Sequence, residues 1–483
     1  MSIRVRIAPS PSGHLHVGTA RTAVHNYLFA RHHDGEFVLR IEDTDEARSS
    51  SEYVEVILES LKWLGLDWDG DVLFQSTRFD EYRSEAERML AEGAGYRCFC
   101  TPEELEQRRK QAIAEKRPPR YDGRCREIPV DESERRAASG EKFAIRVALP
   151  TGGETRFDDI VYGEQVRANV DLDDFVCLRA DGRATYNFAC VVDDNHQRIS
   201  HVVRGNDHIT NTFKQINLYR ALGYDAPRFA HLPLILAPDR SKLSKRKGAV
   251  SVTDYRERGI VPQAFVNYLA LLGWSPGDDR EVFGTLDELA DAFTLERVGT
   301  ANPIFDFDKL VWLSGQHLSA WPPEKVLDEA SPFLERAGVT SPTELDDKRE
   351  WAIGVFSLLA PRMRTLADAV SLGSYFFVEP DAYDEKGDRK QFGSREVSDR
   401  MSALADAWEH SEWNATTLEK ALRAVANELG LKAKDLIHPA RLAVTGIAVG
   451  PGIFELAEYV GAKQTIDRLR RAAVYIRDKF IGE

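Results

Sequence analysis

Residues 3–28 constrain the fold of this 483-residue chain more than any other stretch. Ile3, Val5 and Ile7 alternate with polar residues, as in a strand with a buried face. A turn rich in Pro, Ser and Gly follows, and then Ala20, Ala23, Val24, Tyr27 and Leu28 recur at helical spacing. A second strand is expected at Phe37–Ile41. Ser49 with Glu52 has the form of a capping box, opening a helix with Tyr53, Val56, Ile57, Leu61 and Leu64 on one face. Strand, glycine-containing loop, helix, strand, helix begins a doubly wound α/β domain. Ligands of such folds sit at the carboxyl ends of the strands, where Pro9 to Thr19 fall.

The length suggests about three domains. With 43% hydrophobic and 29% charged residues the chain reads as globular and soluble. No run of about 18 apolar residues occurs, so no membrane span is expected. Met1 to Ile7 reads as a strand rather than a signal peptide, and cytoplasmic residence is the expectation. Five cysteines make an odd number and no disulfide framework. A formal net charge of -14 confines any contact with nucleic acid to local, salt-sensitive patches.

The pattern divides the chain into a first α/β half at 1–70, an inserted α/β subdomain at 71–186, and a second half at 187–240. A connector at 241–325 follows, and then an all-helical region at 326–483. Short strands are expected near Phe143–Val147 and Phe175–Leu178 in the insertion. Beyond it come Phe188 to Asp194, a strand at His201–Arg204, a helix near Thr210–Leu222, a strand at His231–Leu236 and a helical run at Ala264–Leu272. Gly446 to Gly452 reads as a loop between helices. There is no internal repeat and no low-complexity segment.

The segment Arg240-Ser241-Lys242-Leu243-Ser244-Lys245-Arg246-Lys247 puts five basic side chains into eight residues with no acid among them. Such a cluster suits polyanionic phosphate. A second phosphate-type motif lies far upstream, Pro9-Ser10-Pro11-Ser12-Gly13-His14-Leu15-His16-Val17-Gly18-Thr19. Gly13 and Gly18 allow close approach of a ligand, the helix start offers amide donors, and His16 is a donor for a phosphate oxygen. Singly, the first is a solvated surface run and the second a tight turn with a surface histidine. Jointly they form two donor sets able to clamp a triphosphate, which phosphoryl and nucleotidyl transfer require.

His16-Val17-Gly18-Thr19 resembles the "HIGH" signature of class I aminoacyl-tRNA synthetases, and Lys242-Leu243-Ser244-Lys245-Arg246 resembles their "KMSKS" loop. Arg6 to Gly13, Arg40 to Asp45, Tyr186 to Asp194 and Val203 to His208 are similar to the glutamyl-tRNA synthetase family, and the likeness continues through Leu442 to Gly446. The resemblance implies a split Rossmann-type parallel-sheet catalytic domain, an acceptor-stem-binding insertion, a stem-contact connector and an all-α anticodon-binding region. It implies ligation of L-glutamate to tRNA(Glu) with ATP and Mg²⁺, by a monomer. Arg6, Arg204 and Tyr186 are implied around the glutamate side-chain carboxylate, Glu42 at its α-ammonium, and Ala8 and Ser10 along the pocket. Gly18, Thr19, His208, Leu236 and Lys245 are implied at ATP, with His16, Lys242 and Lys245 in the chemistry. Against these roles stand plain ones: an edge-strand charge for Arg6, a surface or capping acid for Glu42.

The implied reaction has two steps. Glutamate's α-carboxylate, ionised near neutral pH, attacks the α-phosphorus of ATP without a general base. The terminal ribose hydroxyl of tRNA then attacks the adenylate. Two positions depart from the family pattern: Thr19 replaces the last His of the signature, and Cys190 stands where some relatives have Asn. Cys98-Phe99-Cys100 with Tyr121 and Cys125 reads either as a structural zinc knuckle or as three reduced cysteines. Arg108, Arg109, Lys110, Lys116, Arg117, Arg120 and Arg124 read either as an acceptor-stem surface or as a solvated helix with its own acids. Lys432, Lys434, Arg441, Arg468, Arg470 and Arg471 are candidates for anticodon contacts. Rival readings are a form that also charges tRNA(Gln), the glutaminyl enzyme, a tRNA-modifying paralogue, an inactive tRNA-binding protein and a non-tRNA adenylyltransferase.

Overall fold

The computed structural model describes residues 2–45, 49–241, 243 and 251–480. Lys242, Ser244, Lys245 and Arg246 lie outside the described residues. The chain divides into two compact units, 1–254 with 266–306, and 255–265 with 307–483.

The first unit is built on strands β1 (Arg4–Ile7), β2 (Glu36–Ile41) and β3 (Leu73–Phe74), paired in parallel. A second group runs β7 (Gly163–Ala168), β6 (Glu154–Asp159), β10 (Arg228–Leu232), β9 (His201–Gly205). β6, β10 and β9 are parallel and β7 is antiparallel. The groups meet where the Ser200 N–H donates to the Arg4 carbonyl at 2.9 Å. The chain therefore leaves β1 outward in both directions, making the strand-order reversal beside which ligands of doubly wound folds bind. Helix α1 (Val17–His32) packs on β1, β2 and β9. At Gly35 a Cβ would sit 2.5 Å from the Ile3 carbonyl oxygen, so only glycine lets Glu36 N–H bond that oxygen at 2.9 Å and start β2 in register.

Three boundaries differ from the sequence reading. Helix α2 (Ser51–Trp63) is capped by Ser50, whose Oγ accepts from Glu52 N–H at 3.2 Å, not by a box on Ser49. β10 lies at Arg228–Leu232, upstream of the expected strand, because Pro233 has no N–H to continue the ladder. Phe188 to Asp194 belongs to helix α6 (Tyr186–His196), and helix α7 (Ile209–Ala221) follows β9.

Residues 71–186 do contain a separate antiparallel sheet, in the order β4 (Gly95–Cys98), β5 (Ala144–Val147), β8 (Val176–Leu178). They do not form a self-contained subdomain. The hairpin of β6 and β7 extends the catalytic sheet, since Asp159 pairs with Phe229. The insertion's Tyr82, Met89, Ile145 and Val147 also share one buried cluster with Val38, Phe188, Val202 and Phe229 of the two halves. A short three-stranded sheet has one apolar face to cover, and the catalytic layer covers it.

Among the described residues the second unit is helical from Phe307 onward. Its core includes Leu404, Trp408, Leu422, Leu442, Leu456 and Leu469, all fully buried. The helix Lys434–Thr445 ends at Gly446, whose φ of 77° is the left-handed cap that opens the expected loop. Arg468 is buried there. Its Nη1 donates to the carbonyls of Tyr375 and Val444, each at 2.9 Å, and its Nε faces Glu379. It is a structural cation, not the nucleic-acid contact its sequence suggested; Arg470 pairs with Glu409 and Asp406, and Arg471 with Glu379. No helix among the described residues is long and apolar enough to cross a membrane.

Candidate active site

A cavity of about 850 Å³ opens at the carboxyl ends of β1 and β9. Arg6, Ala8, Ser10, His16, Gly18, Thr19, Glu42, Tyr186, Arg204 and His208 all line it. Leu236 does not. Its N–H and carbonyl pair with Pro303 and Phe305 at 2.9 and 2.8 Å, while the neighbouring Leu234 and Ile235 face the cavity. Leu243, inside the basic loop, also lines it. The space beside Gly13 is open, since a Cβ there would meet nothing within 4 Å.

His16 is the N-cap of α1. Its Nδ1 accepts from Gly18 N–H at 3.2 Å, which puts the proton of the neutral ring on Nε2. The chain beyond the basic loop returns to this point: His16 forms an antiparallel bridge with Ser251, and Val252 N–H donates to the Leu15 carbonyl at 3.0 Å. Upstream of residues 244–250 Leu243 lines the cavity, and downstream Ser251 and Val252 join the lining residues His16 and Leu15.

The cavity floor is a buried charge cluster. Arg6 Nε donates to Asp194 Oδ1 at 3.0 Å, and Arg40 Nη1 donates to the same oxygen at 2.7 Å. Arg40 also reaches Gln197 at 3.1 Å and Glu42 at 3.5 Å. Burial would raise the Asp194 carboxyl, but the two guanidiniums overcome it and hold it well below the usual range. Arg6 is thus no solvated charge: it is buried and ion-paired. Nor is Glu42 a surface acid: burial pushes its carboxyl up against the opposing pull of Arg40 and Arg6. Cys190 sits inside this cluster, its Sγ 3.6 Å from Arg40 Nη2, and burial pushes its thiol up to about 12. Asp193, next in sequence, braces the cluster from behind by accepting from Gln75, Arg78 and Tyr82 at 2.8 to 2.9 Å.

Arg204 is placed differently. Its Nη2 donates to Thr212 Oγ1 and Gln215 Oε1, both at 2.7 Å, and its Nε faces His231. Those partners are neutral or weakly basic, and Nη1 is buried without a hydrogen-bond partner. An unpaired buried guanidinium N–H is costly, and a ligand carboxylate would remove the cost. Tyr186 Oη lies 3.1 Å from His208 Nδ1, and burial lowers the His208 imidazole to about 4, with Arg204 adding to the effect.

Sequence reading passed over several lining residues. Arg21 is buried beside an apolar stripe and tied to the carbonyls of Leu272 and Pro233. Asn211 also lines the cavity and carries no local signal, and Asp207 lies in the Val203 to His208 stretch without having been singled out. Asp194 was legible as part of a motif, but its sharing by two arginines was not.

In the insertion, the sulfurs of Cys98, Cys100 and Cys125 lie within 4.8 Å of one another, with Cys100 Sγ 3.6 Å from Cys125 Sγ. Tyr121 Oη is 3.5 Å from Cys98 Sγ. Arg108, Arg109, Arg117, Arg120 and Arg124 are each paired with a nearby acid.

Nucleotide-binding topology, an imidazole at a helix start and an arginine-lined hole define a class I aminoacyl-tRNA synthetase. Residues 2–312 match the family described as "tRNA synthetases class I (E and Q), catalytic domain", and residues 325–473 match an "Anticodon binding domain". The chain belongs to the glutamate--tRNA ligase family. It is 46% identical to the glutamate--tRNA ligase of Thermodesulfovibrio yellowstonii over 97% of this chain and 99% of that one. It is 45% identical to that of Moorella thermoacetica over 99% of each. A crystal structure of a glutamate tRNA ligase from Elizabethkingia meningosepticum, in complex with its amino acid, superposes with a TM-score of 0.88. That protein is 33% identical, and the match covers 99% of this chain and 100% of that one.

Proposed function

We propose that this protein ligates L-glutamate to the 3′ end of tRNA(Glu), using Mg-ATP as co-substrate and releasing AMP and pyrophosphate. The buried, unpaired Nη1 of Arg204, a residue that lines the cavity, carries the reading of the amino acid. Arg6 and Arg40 face the carboxylates of Asp194 and Glu42, whereas the hydrogen-bond partners of Arg204 include no carboxylate. One positive charge is left over, the complement of a substrate side-chain carboxylate. Glutamine offers no charge to neutralise it. Glu42 receives the substrate's α-ammonium, and Ala8, Ser10 and Tyr186 shape the walls.

The α-carboxylate attacks the α-phosphorus of ATP. His16, whose neutral ring carries its proton on Nε2, donates to a phosphate oxygen as charge moves onto the leaving pyrophosphate. Gly18 and Thr19 at the start of α1, with His208 and the neighbouring Leu234 and Ile235, hold the nucleotide; Lys242 and Lys245 complete the phosphate clamp. The ribose hydroxyl of tRNA then displaces AMP from the adenylate. The helical second unit reads the anticodon.

The thiols of Cys98, Cys100 and Cys125 fit a tetrahedral zinc ion, with Tyr121 Oη as fourth donor. Zn–S bonds of about 2.3 Å require sulfurs roughly 3.8 Å apart, close to the arrangement described above. The metal would be structural.

Glutamate-dependent aminoacylation by Arg204→Gln tests the assignment. The KM for glutamate is expected to rise on the order of a hundredfold, with the KM for ATP nearly unchanged. A wild-type KM for glutamate in that variant would remove the carboxylate reading.

A further inference from the structure

Arg204 is held by a chain of buried polar groups that ends outside the cavity. His231, on β10, directs Nδ1 at Asp159 Oδ2 over 2.5 Å, and both side chains are fully buried. Its Nε2 lies 3.4 Å from Arg204 Nε and 3.0 Å from Thr212 Oγ1. Arginine Nε–H only donates, so His231 Nε2 must be the lone-pair nitrogen and the ring proton must sit on Nδ1, toward Asp159. Asp159 is itself fixed. Its Oδ1 accepts from the backbone N–H groups of Val161, Tyr162 and His231, at 3.0, 2.9 and 3.2 Å. The acid comes from the β6–β7 hairpin, the imidazole from β10 and the arginine from β9. Neither Asp159 nor His231 lines the cavity.

We propose that Asp159 and His231 are positioning residues for amino acid selection: Asp159 sets the imidazole tautomer, and the tautomer aims Arg204 at the substrate's side-chain carboxylate. This rests on the reading of Arg204 as the partner of that carboxylate. Two bonds from Nη2 to Thr212 and Gln215 fix one end of the guanidinium. The third, from Nε to His231, holds its other edge and leaves Nη1 as the nitrogen without a partner. With the opposite tautomer two N–H groups would face each other, and the guanidinium would turn away.

Two nearly isosteric changes separate this role from simple packing of the hairpin. In Asp159→Asn the three backbone N–H groups require a carbonyl at the Oδ1 position, so the amide nitrogen faces His231 Nδ1. The ring must then accept there and carry its proton on Nε2, against Arg204. In His231→Gln the bond to Asp159 is lost, but the side-chain amide oxygen can still accept from Arg204 Nε. With the full chain and tRNA present, D159N is expected to raise the KM for glutamate about tenfold, leave the KM for ATP within about twofold, and lower the preference for glutamate over glutamine by a similar factor. H231Q is expected to stay within about threefold of wild type in all three. Thermal unfolding establishes that both variants are folded. A folded D159N with a wild-type KM for glutamate, or with both KM values raised alike, overturns the proposal. Arg204→Gln assayed alongside separates the two layers. If it raises the KM for glutamate while D159N does not, only the positioning role falls; if it too is silent, the carboxylate reading falls with it.

Discussion

Arg6 and Asp194 are joined by two hydrogen bonds, at 3.0 and 3.4 Å, across 188 positions of sequence. The pair locks β1 to α6 directly beneath the cavity, and Arg40 shares the same carboxylate from β2.

Removing that carboxylate strands the buried Arg6 and leaves Arg40 with only Gln197 and the more distant Glu42. Asp194→Asn is expected to cost about 3–5 kcal/mol in urea unfolding at neutral pH. The Asp194 pKa is depressed in the folded state, so its contribution is present above the unfolded value of about 4 and is lost as pH falls through the folded one. Wild type should therefore lose stability below about pH 4 faster than the Asn variant. Parallel curves would show that the carboxylate is not the acid-sensitive group.

In the proposed mechanism His16 acts only while charge moves on phosphate. His16→Ala is expected to lower pyrophosphate exchange on the order of a hundredfold, with tRNA affinity retained within about twofold. Lys245→Ala is expected to show the same split. Exchange at the wild-type rate in either variant would take that side chain out of the chemistry.

His25 is fully buried on α1, and burial, aided by Arg21, lowers its imidazole to about 3. The unfolded chain takes up this proton near pH 6.5 and the folded one does not until about pH 3, so stability falls as pH drops between them. His25→Gln keeps a donor for the Leu269 carbonyl and abolishes the titration. Between pH 7 and pH 5 wild type should lose about 2 kcal/mol more than this variant. Equal losses would place the acid sensitivity elsewhere.

Protein purified without chelator is expected to carry one zinc ion per chain, and Cys100→Ser well under half of that, with a lowered Tm. Metal analysis of wild type far below stoichiometric would leave three reduced thiols.

The α/β start was legible because alternation at Ile3, Val5 and Ile7 and the helical spacing after Val17 are local signals. His16 and Arg204 were legible only through motifs. Ser49 was mistaken for the cap because Glu52 stands three residues on, whereas Ser50, the residue that caps, has Tyr53 at that spacing and bonds Glu52 N–H instead. The hairpin's membership in the catalytic sheet was hidden, since pairing of Asp159 with Phe229 spans a distance no local pattern encodes. Arg468 looked like an RNA contact because a cation on an amphipathic helix gives no sign of the carbonyls it will meet. Asp159 and His231 illustrate the same limit: each reads as an ordinary strand residue until β6 and β10 lie side by side.

The bridge between His16 and Ser251 ties the start of α1 to the segment that follows the basic loop. It sets the exit of that loop against the helix start whose imidazole and amide groups line the cavity. A displacement of either one is therefore passed directly to the other, with no intervening element to absorb it.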